Sequence, residues 1–311
     1  MAQTFEALDS TEREAARPLG LGFLALAAVT YVLVVLGALV RAHGAGLACP
    51  DWPLCFGEVI PRFDFEIAFE WGHRALAGTV GLVFVGLAAL VLRHPSLRRS
   101  MQVGLLLAAT LLAVQIVLGG LTVLQLLASW TVTSHLVTGN AFALSLVLLG
   151  RRLLAFGSDA PAMRRPAEPW TRAIVTVAGV LLATQIVLGG LVSSSYAGLA
   201  CPDWPTCIDG EFFPTWTGLR GLHVLHRMVG YGVVLVILAA AGLAREHAGS
   251  RRWLGAAAGL AVLQVLVGVA NVSMRIPVEI TGLHSALAAA LVCTVGVGVR
   301  EVWRGAGRSV G

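Results

Sequence analysis

The sequence predicts an all-α integral membrane protein: eight transmembrane helices arranged as two four-helix bundles related by a parallel repeat. Three observations predict it. Apolar runs of eighteen residues or more recur along the chain, long enough to cross a bilayer as helices. The composition is 57% hydrophobic and 13% charged, where a soluble domain carries about 25% charge. The second half of the chain also repeats the first, motif for motif.

The runs place spans at 19–41, 70–92, 101–125, 131–150, 170–192, 222–244, 252–273 and 281–302. The stretch from Met1 to Pro18 is polar and of mixed charge. It lacks the basic start and short apolar core of a cleavable signal, so the first run predicts a retained helix. All 22 basic residues are arginine. Sixteen of them fall at the termini (Arg13, Arg17, Arg300, Arg304, Arg308) or in the connections after spans two, four and six: Arg93, Arg98 and Arg99; Arg151, Arg152, Arg164, Arg165 and Arg172; Arg245, Arg251 and Arg252. The other six are Arg41, Arg62, Arg74, Arg220, Arg227 and Arg275. The positive-inside rule therefore predicts a multi-pass protein of the cell membrane with both termini cytoplasmic. Clustered in this way, the net charge of +5 is a topology signal and not a nucleic-acid footprint. The chain divides into an N-terminal half, 1–152, a cytoplasmic linker, 153–169, marked by Pro161, Pro166 and Pro169, and a C-terminal half, 170–311.

The repeat is explicit. Gly46-Leu47-Ala48-Cys49-Pro50-Asp51-Trp52-Pro53-Leu54-Cys55 returns as Gly198-Leu199-Ala200-Cys201-Pro202-Asp203-Trp204-Pro205-Thr206-Cys207, with one difference. His73-Arg74 returns as His226-Arg227, and His135 as His284. Four spans per half is an even number, so both halves run the same way, a parallel repeat about the membrane normal. Inside each half lies a shorter unit. Gln115-Ile116-Val117-Leu118-Gly119-Gly120-Leu121 is identical to residues Gln185 to Leu191, and Gln264-Val265-Leu266-Val267-Gly268 is a looser copy. The unit is a helix pair whose second member carries a histidine near its outer end, and the chain holds four.

An ionisable residue within a span is costly and marks function by default. His73, His135, His226 and His284 lie at similar depth on the even-numbered spans, about one turn below the outer surface. Each half thus offers two imidazoles on neighbouring helices, a set suited to axial ligation of a macrocycle's iron. A lone interfacial histidine reads as a packing or snorkelling residue, but four at repeat-related positions do not. Zinc would want further ligands at that depth. Gly78, Gly81, Gly230 and Gly232 would let a porphyrin edge approach the backbone, and Arg74 and Arg227 are expected to meet its propionates. His94 and His247 read as solvated bystanders, and His43 as structural. The halves differ three residues before the first histidine, where Glu70 faces His223 of the other copy. Glu70 is either a solvated acid at a helix start or a group beside the ligand.

Cys49 and Cys55, like Cys201 and Cys207, enclose five residues with two prolines on the outer, oxidising side, and predict two disulfides. Their default role is to staple a loop over the bundle, and a redox role for the first pair is the alternative. Cys293 reads as a packing residue within the last span.

Together, Glu70-Trp71-Gly72-His73-Arg74, His135, His226-Arg227, His284 and the two Cys-Pro-Asp-Trp-Pro-x-Cys loops resemble the haem A synthase family over nearly the whole chain. The resemblance implies oxidation of a ring methyl of haem O, through an alcohol, to the formyl group of haem A, for terminal oxidase assembly. It implies a substrate site for haem O at His73 and His135, a haem B cofactor at His226 and His284, and a catalytic role for Glu70. The partners implied are haem O, haem O synthase, terminal-oxidase assembly factors and membrane lipid, with a second copy of the chain as a further candidate. The competing reading is a di-haem bis-histidine cytochrome that only carries electrons; the cysteine loops and the Glu70/His223 difference argue against it. A transporter lined by Gln115, Gln185 and Gln264 would leave the histidines unexplained. Prenyl transfer to haem would call for aspartate-rich motifs that this chain does not have.

Overall fold

The computed structural model describes residues 10–156 and 167–304. Eight helices follow in order: α1 (Ser10–Ala42), α2 (Phe65–Leu92), α3 (Pro95–Leu124), α4 (Ser129–Phe156), α5 (Pro169–Ser194), α6 (Gly218–Leu243), α7 (Arg251–Ser273) and α8 (Val278–Trp303). All eight are long and apolar enough to cross a membrane. Among the described residues there is no β-strand, only isolated bridges Cys55–Glu58 and Ile208–Glu211 inside the cysteine loops. Most of the 153–169 linker, with Pro161, Arg164, Arg165 and Pro166, lies outside the described residues, as does Arg308.

The helices outrun the spans read from hydropathy because their ends are held by polar groups that hydropathy discards. Asp64 caps α2 by accepting a hydrogen bond from the Ile67 amide at 2.8 Å. Pro95 and Pro169 open α3 and α5, where a missing N–H costs nothing. The first turns of α1 continue through Pro18. Ala16 and Leu19 are buried there, and the Glu12 carboxylate accepts from the Ser96 amide at the start of α3. With α2 starting at Phe65 and α4 at Ser129, the histidines sit about two turns into their helices.

Within the first half α1 packs on α2 and α4, and α3 on α4; α5 to α8 repeat that scheme. Between the halves α1 meets α8 and α5 meets α4, an exchange consistent with the repeat, and α4 also meets α8. Small residues allow this approach, as lipid-embedded helices require. A Cβ at Gly282 would stand 2.6 Å from Leu39, and one at Gly190 would stand 2.9 Å from Thr133. Near the arginine-rich ends, Arg151 of α4 reaches Glu301 of α8 at 2.9 Å, with Arg300 and Arg304 at 3.5 and 3.4 Å. The Glu301 side chain is fully buried among them.

The tight turns joining α3 to α4 and α7 to α8 are built alike. Leu126 and Leu127, and Arg275 and Ile276, take left-handed φ values between 49° and 64°. The Leu127 amide reaches back to the Thr122 carbonyl and the Ile276 amide to Asn271, closing each helix end. Leu127 then packs on Gly46 and Ile276 on Gly198, the glycines that open the two cysteine motifs. Each histidine hairpin is thereby docked under its loop.

Candidate functional site

Each of the four histidines lies on a glycine of the preceding helix. A Cβ at Gly37, Gly119, Gly189 or Gly268 would stand 2.9, 3.2, 3.1 or 3.1 Å from Cε1 of His73, His135, His226 or His284, respectively. The glycine is needed because the ring occupies the space a side chain would fill. His73 and His135 are close enough to interact electrostatically, and so are His226 and His284. The sequence expects the histidines to act in these two pairs, one in each half.

Three histidines also meet a glutamine. The amide nitrogens of Gln115, Gln185 and Gln264 stand 3.2, 3.1 and 3.2 Å from a ring nitrogen of His135, His226 and His284. Gln185 and Gln264 also donate to the backbone carbonyl of the same histidine, at 3.0 and 3.1 Å. Gln115 instead accepts from the Thr138 hydroxyl. These contacts were not read from the sequence, although the signal was there: in the repeated heptapeptide, glutamine precedes the shelf glycine by four residues, one helical turn. Of the glycines expected to admit a porphyrin edge, Gly78 and Gly232 face open space and Gly81 barely touches Leu112, while Gly230 carries the Gln185 amide.

The cysteine loops sit above these hairpins. Cys49–Cys55 and Cys201–Cys207 are disulfide-bonded, as predicted, and Cys293 is free. Each ring of backbone presents inward carbonyls that need donors, and one guanidinium supplies them. Arg74 donates to the carbonyls of Asp51 and Leu54 at 2.7 Å and of Cys49 at 3.1 Å. Arg227 does the same to Asp203, Thr206 and Cys201. This stapling role for the two arginines is not legible in the sequence, which points them toward propionates.

Here the halves part. Glu70 is buried; it pairs with Arg74 and accepts from the Cys49 amide at 2.8 Å, so it ties the first loop to the helix of His73. Its counterpart His223 is also buried, with Nδ1 2.9 Å from the Ala197 carbonyl, and brings no carboxylate. In the first loop Asp51 accepts from the amides of Gly57 and Phe56 at 2.8 and 2.6 Å. These bonds, that of Gly57 foremost, hold its carboxyl below the usual range. Trp52 lies over Gly120 of α3, whereas Trp204 donates to the Tyr231 hydroxyl at 3.1 Å. His43 packs edge-on against Phe65 and Phe69, a structural role, and His247 bonds Ser250.

The donor set fits a haem. His73, His135 and His284 each keep a buried ring nitrogen, Nδ1, without a partner. Among the described residues no group of three or more His, Cys, Asp or Glu could hold a bare ion. Two imidazoles per half leave the equatorial positions of an iron to the macrocycle that carries it.

A family model described as cytochrome oxidase assembly protein, COX15-CtaA, matches residues 22–295, which takes in α2 to α7, most of α1 and α8, and both loops. The chain belongs to that family. Members of similar sequence include the Heme A synthase of Shewanella oneidensis, 28% identical over 86% of this chain and 91% of that protein. The Heme A synthase of Caulobacter vibrioides is 28% identical over 93% and 96%. That of Alkalihalophilus pseudofirmus is 32% identical over 67% and 70%.

Proposed function

We propose that this family member is a haem A synthase, a multi-pass membrane oxidoreductase that converts a ring methyl of haem O to the formyl group of haem A. The observation that carries the reading is the duplicated, glycine-shelved histidine pair, set in a chain similar along its length to proteins named Heme A synthase. His73 and His135 are assigned to the substrate haem O, and His226 and His284 to a resident haem B, which would take electrons from the substrate site. Converting methyl to formyl consumes one water and releases four protons and four electrons. Glu70, the carboxylate that only the first half carries beside its histidine, is assigned the handling of protons and developing positive charge there. Arg74 and Arg227 bring positive charge toward the propionates while their Nη atoms hold the loops. The arginine distribution supports cytoplasmic termini and outward-facing loops.

The test is haem extraction and chromatography from membranes of cells that express this chain with a haem O synthase, beside a His73→Ala control. Haem A that the control loses is the expected result. Purified protein that holds haem B yet leaves haem O unchanged under aerobic conditions would refute the assignment in favour of an electron carrier.

A further inference from the structure

The four histidine hairpins are copies, and they differ in one polar contact. In three, a glutamine one turn before the shelf glycine holds the imidazole. In the fourth, α1 reads Leu33-Val34-Val35-Leu36-Gly37, so the register that carries Gln115, Gln185 and Gln264 carries Leu33. His73 rests on Gly37 like its counterparts, and its Nδ1 is buried without a partner, as are those of His135 and His284; what it lacks is the glutamine that meets Nε2 in those two and Nδ1 in His226. A glutamine amide lying against the ring holds its plane, and with its oxygen turned to the ring nitrogen away from the iron it accepts that N–H and so strengthens a ligand. A ring without that amide turns and withdraws at less cost.

We propose that Gln115, Gln185 and Gln264 are positioning residues for His135, His226 and His284, and that Leu33 leaves His73 as the exchangeable ligand of the first pair. The inference rests on the haem reading above. It gives the first half one fixed and one releasable imidazole, and the second half two fixed ones. A substrate haem that must enter and leave, and whose iron must open a position, suits the first arrangement; a resident electron-transfer haem suits the second. Space does not forbid a glutamine at Leu33. The α7–α8 hairpin holds Gln264 with Ala288 four residues after its histidine, and the α1–α2 hairpin has Ala77 at the same place.

The experiment is carbon monoxide binding to the dithionite-reduced full-length protein, purified with its haems from cells that also make haem O. The wild type is expected to have one carbon-monoxide-reactive haem, that of the first half. Leu33→Gln should lower its carbon monoxide affinity about tenfold or more at unchanged haem content. Gln185→Leu and Gln264→Leu should make the second haem reactive. Wild-type protein with no reactive haem overturns the proposal, as does a Leu33→Gln protein as reactive as wild type. Should Leu33→Gln fail to accumulate, unreactive second-half haem in both glutamine variants is the overturning result. Protein that binds no haem at all would instead remove the functional reading beneath it.

Discussion

Gly37→Ala separates ligation from folding. The added Cβ would stand 2.9 Å from His73 Cε1, while carbon atoms rest at about 3.5–4.0 Å. The ring must therefore withdraw by about 0.6–1.1 Å. A metal–ligand distance tolerates only about 0.2 Å, so the displacement exceeds the tolerance severalfold. The fold loses little, because the obstructing atom is the far end of a side chain with no hydrogen-bonded partner at Nδ1. Alanine moreover favours a helix interior over glycine by about 1 kcal/mol. The expected variant melts at or above the wild-type temperature, loses the low-spin bis-imidazole spectrum of its first haem, and makes little haem A. Gly86→Ala, on α2 with open space around it, is the control that gains the same helix propensity and keeps the spectrum. A Gly37→Ala protein with wild-type spectrum and wild-type haem A yield would show that His73 does not ligate from this shelf.

Arg74→Ala should destabilise the first loop by about 3–5 kcal/mol, since it leaves a buried carboxylate unpaired and three carbonyls without their donor. Faster proteolytic cleavage between Cys49 and Cys55 would report it, and Arg74→Lys should recover only part, because lysine cannot fork. Glu301→Gln should lower the melting temperature by leaving Arg151, Arg300 and Arg304 uncompensated, a loss of about 3 kcal/mol or more; adding Arg300→Leu should restore part of it. Asp51 predicts a pH profile. Its folded value lies below the ordinary 3.8, so its contribution is complete above that value and is lost as pH falls through the lowered one. Trp52 fluorescence should therefore hold steady from neutrality down to the ordinary aspartate range and change only below it, and Asp51→Asn should abolish that acid step.

Hydropathy and repetition made much of this molecule legible. Eight spans, four histidines and two cysteine pairs all stood out because the cost of burying polar groups in lipid keeps such residues rare. Helix ends were less legible, because Asp64, Glu12 and Pro95 act outside the apolar runs. The shelf glycines and the glutamine contacts stayed hidden for another reason: they depend on the register between two helices, and a stripe of apolar residues carries no register. Only aligning α1 onto the Gln115–Leu121 repeat exposes Gly37 and Leu33 together. The arginines were read toward a ligand because sequence does not show where a ten-residue loop turns its carbonyls.

Four differences between the copies bear on the first histidine pair and its loop. Glu70 stands where the second half has His223, Leu33 where the other hairpins have glutamine, Gly120 where α7 has Val269, and Gly78 where α6 has Tyr231. They lie between the middle and the outer end of α1, α2 and α3, within a few residues of His73, of its shelf glycine Gly37 or of the glycine beneath Trp52. Gly120 lets Trp52 settle on α3, whereas the Tyr231 hydroxyl holds Trp204 against α6. Drift after duplication would scatter changes over lipid-facing surfaces, where they cost least. Polar and steric changes about one histidine are what the proposed division of work between the halves calls for. That argument supports placing substrate oxidation at His73 and leaving the second half, with both imidazoles held by glutamine, to keep a haem in place.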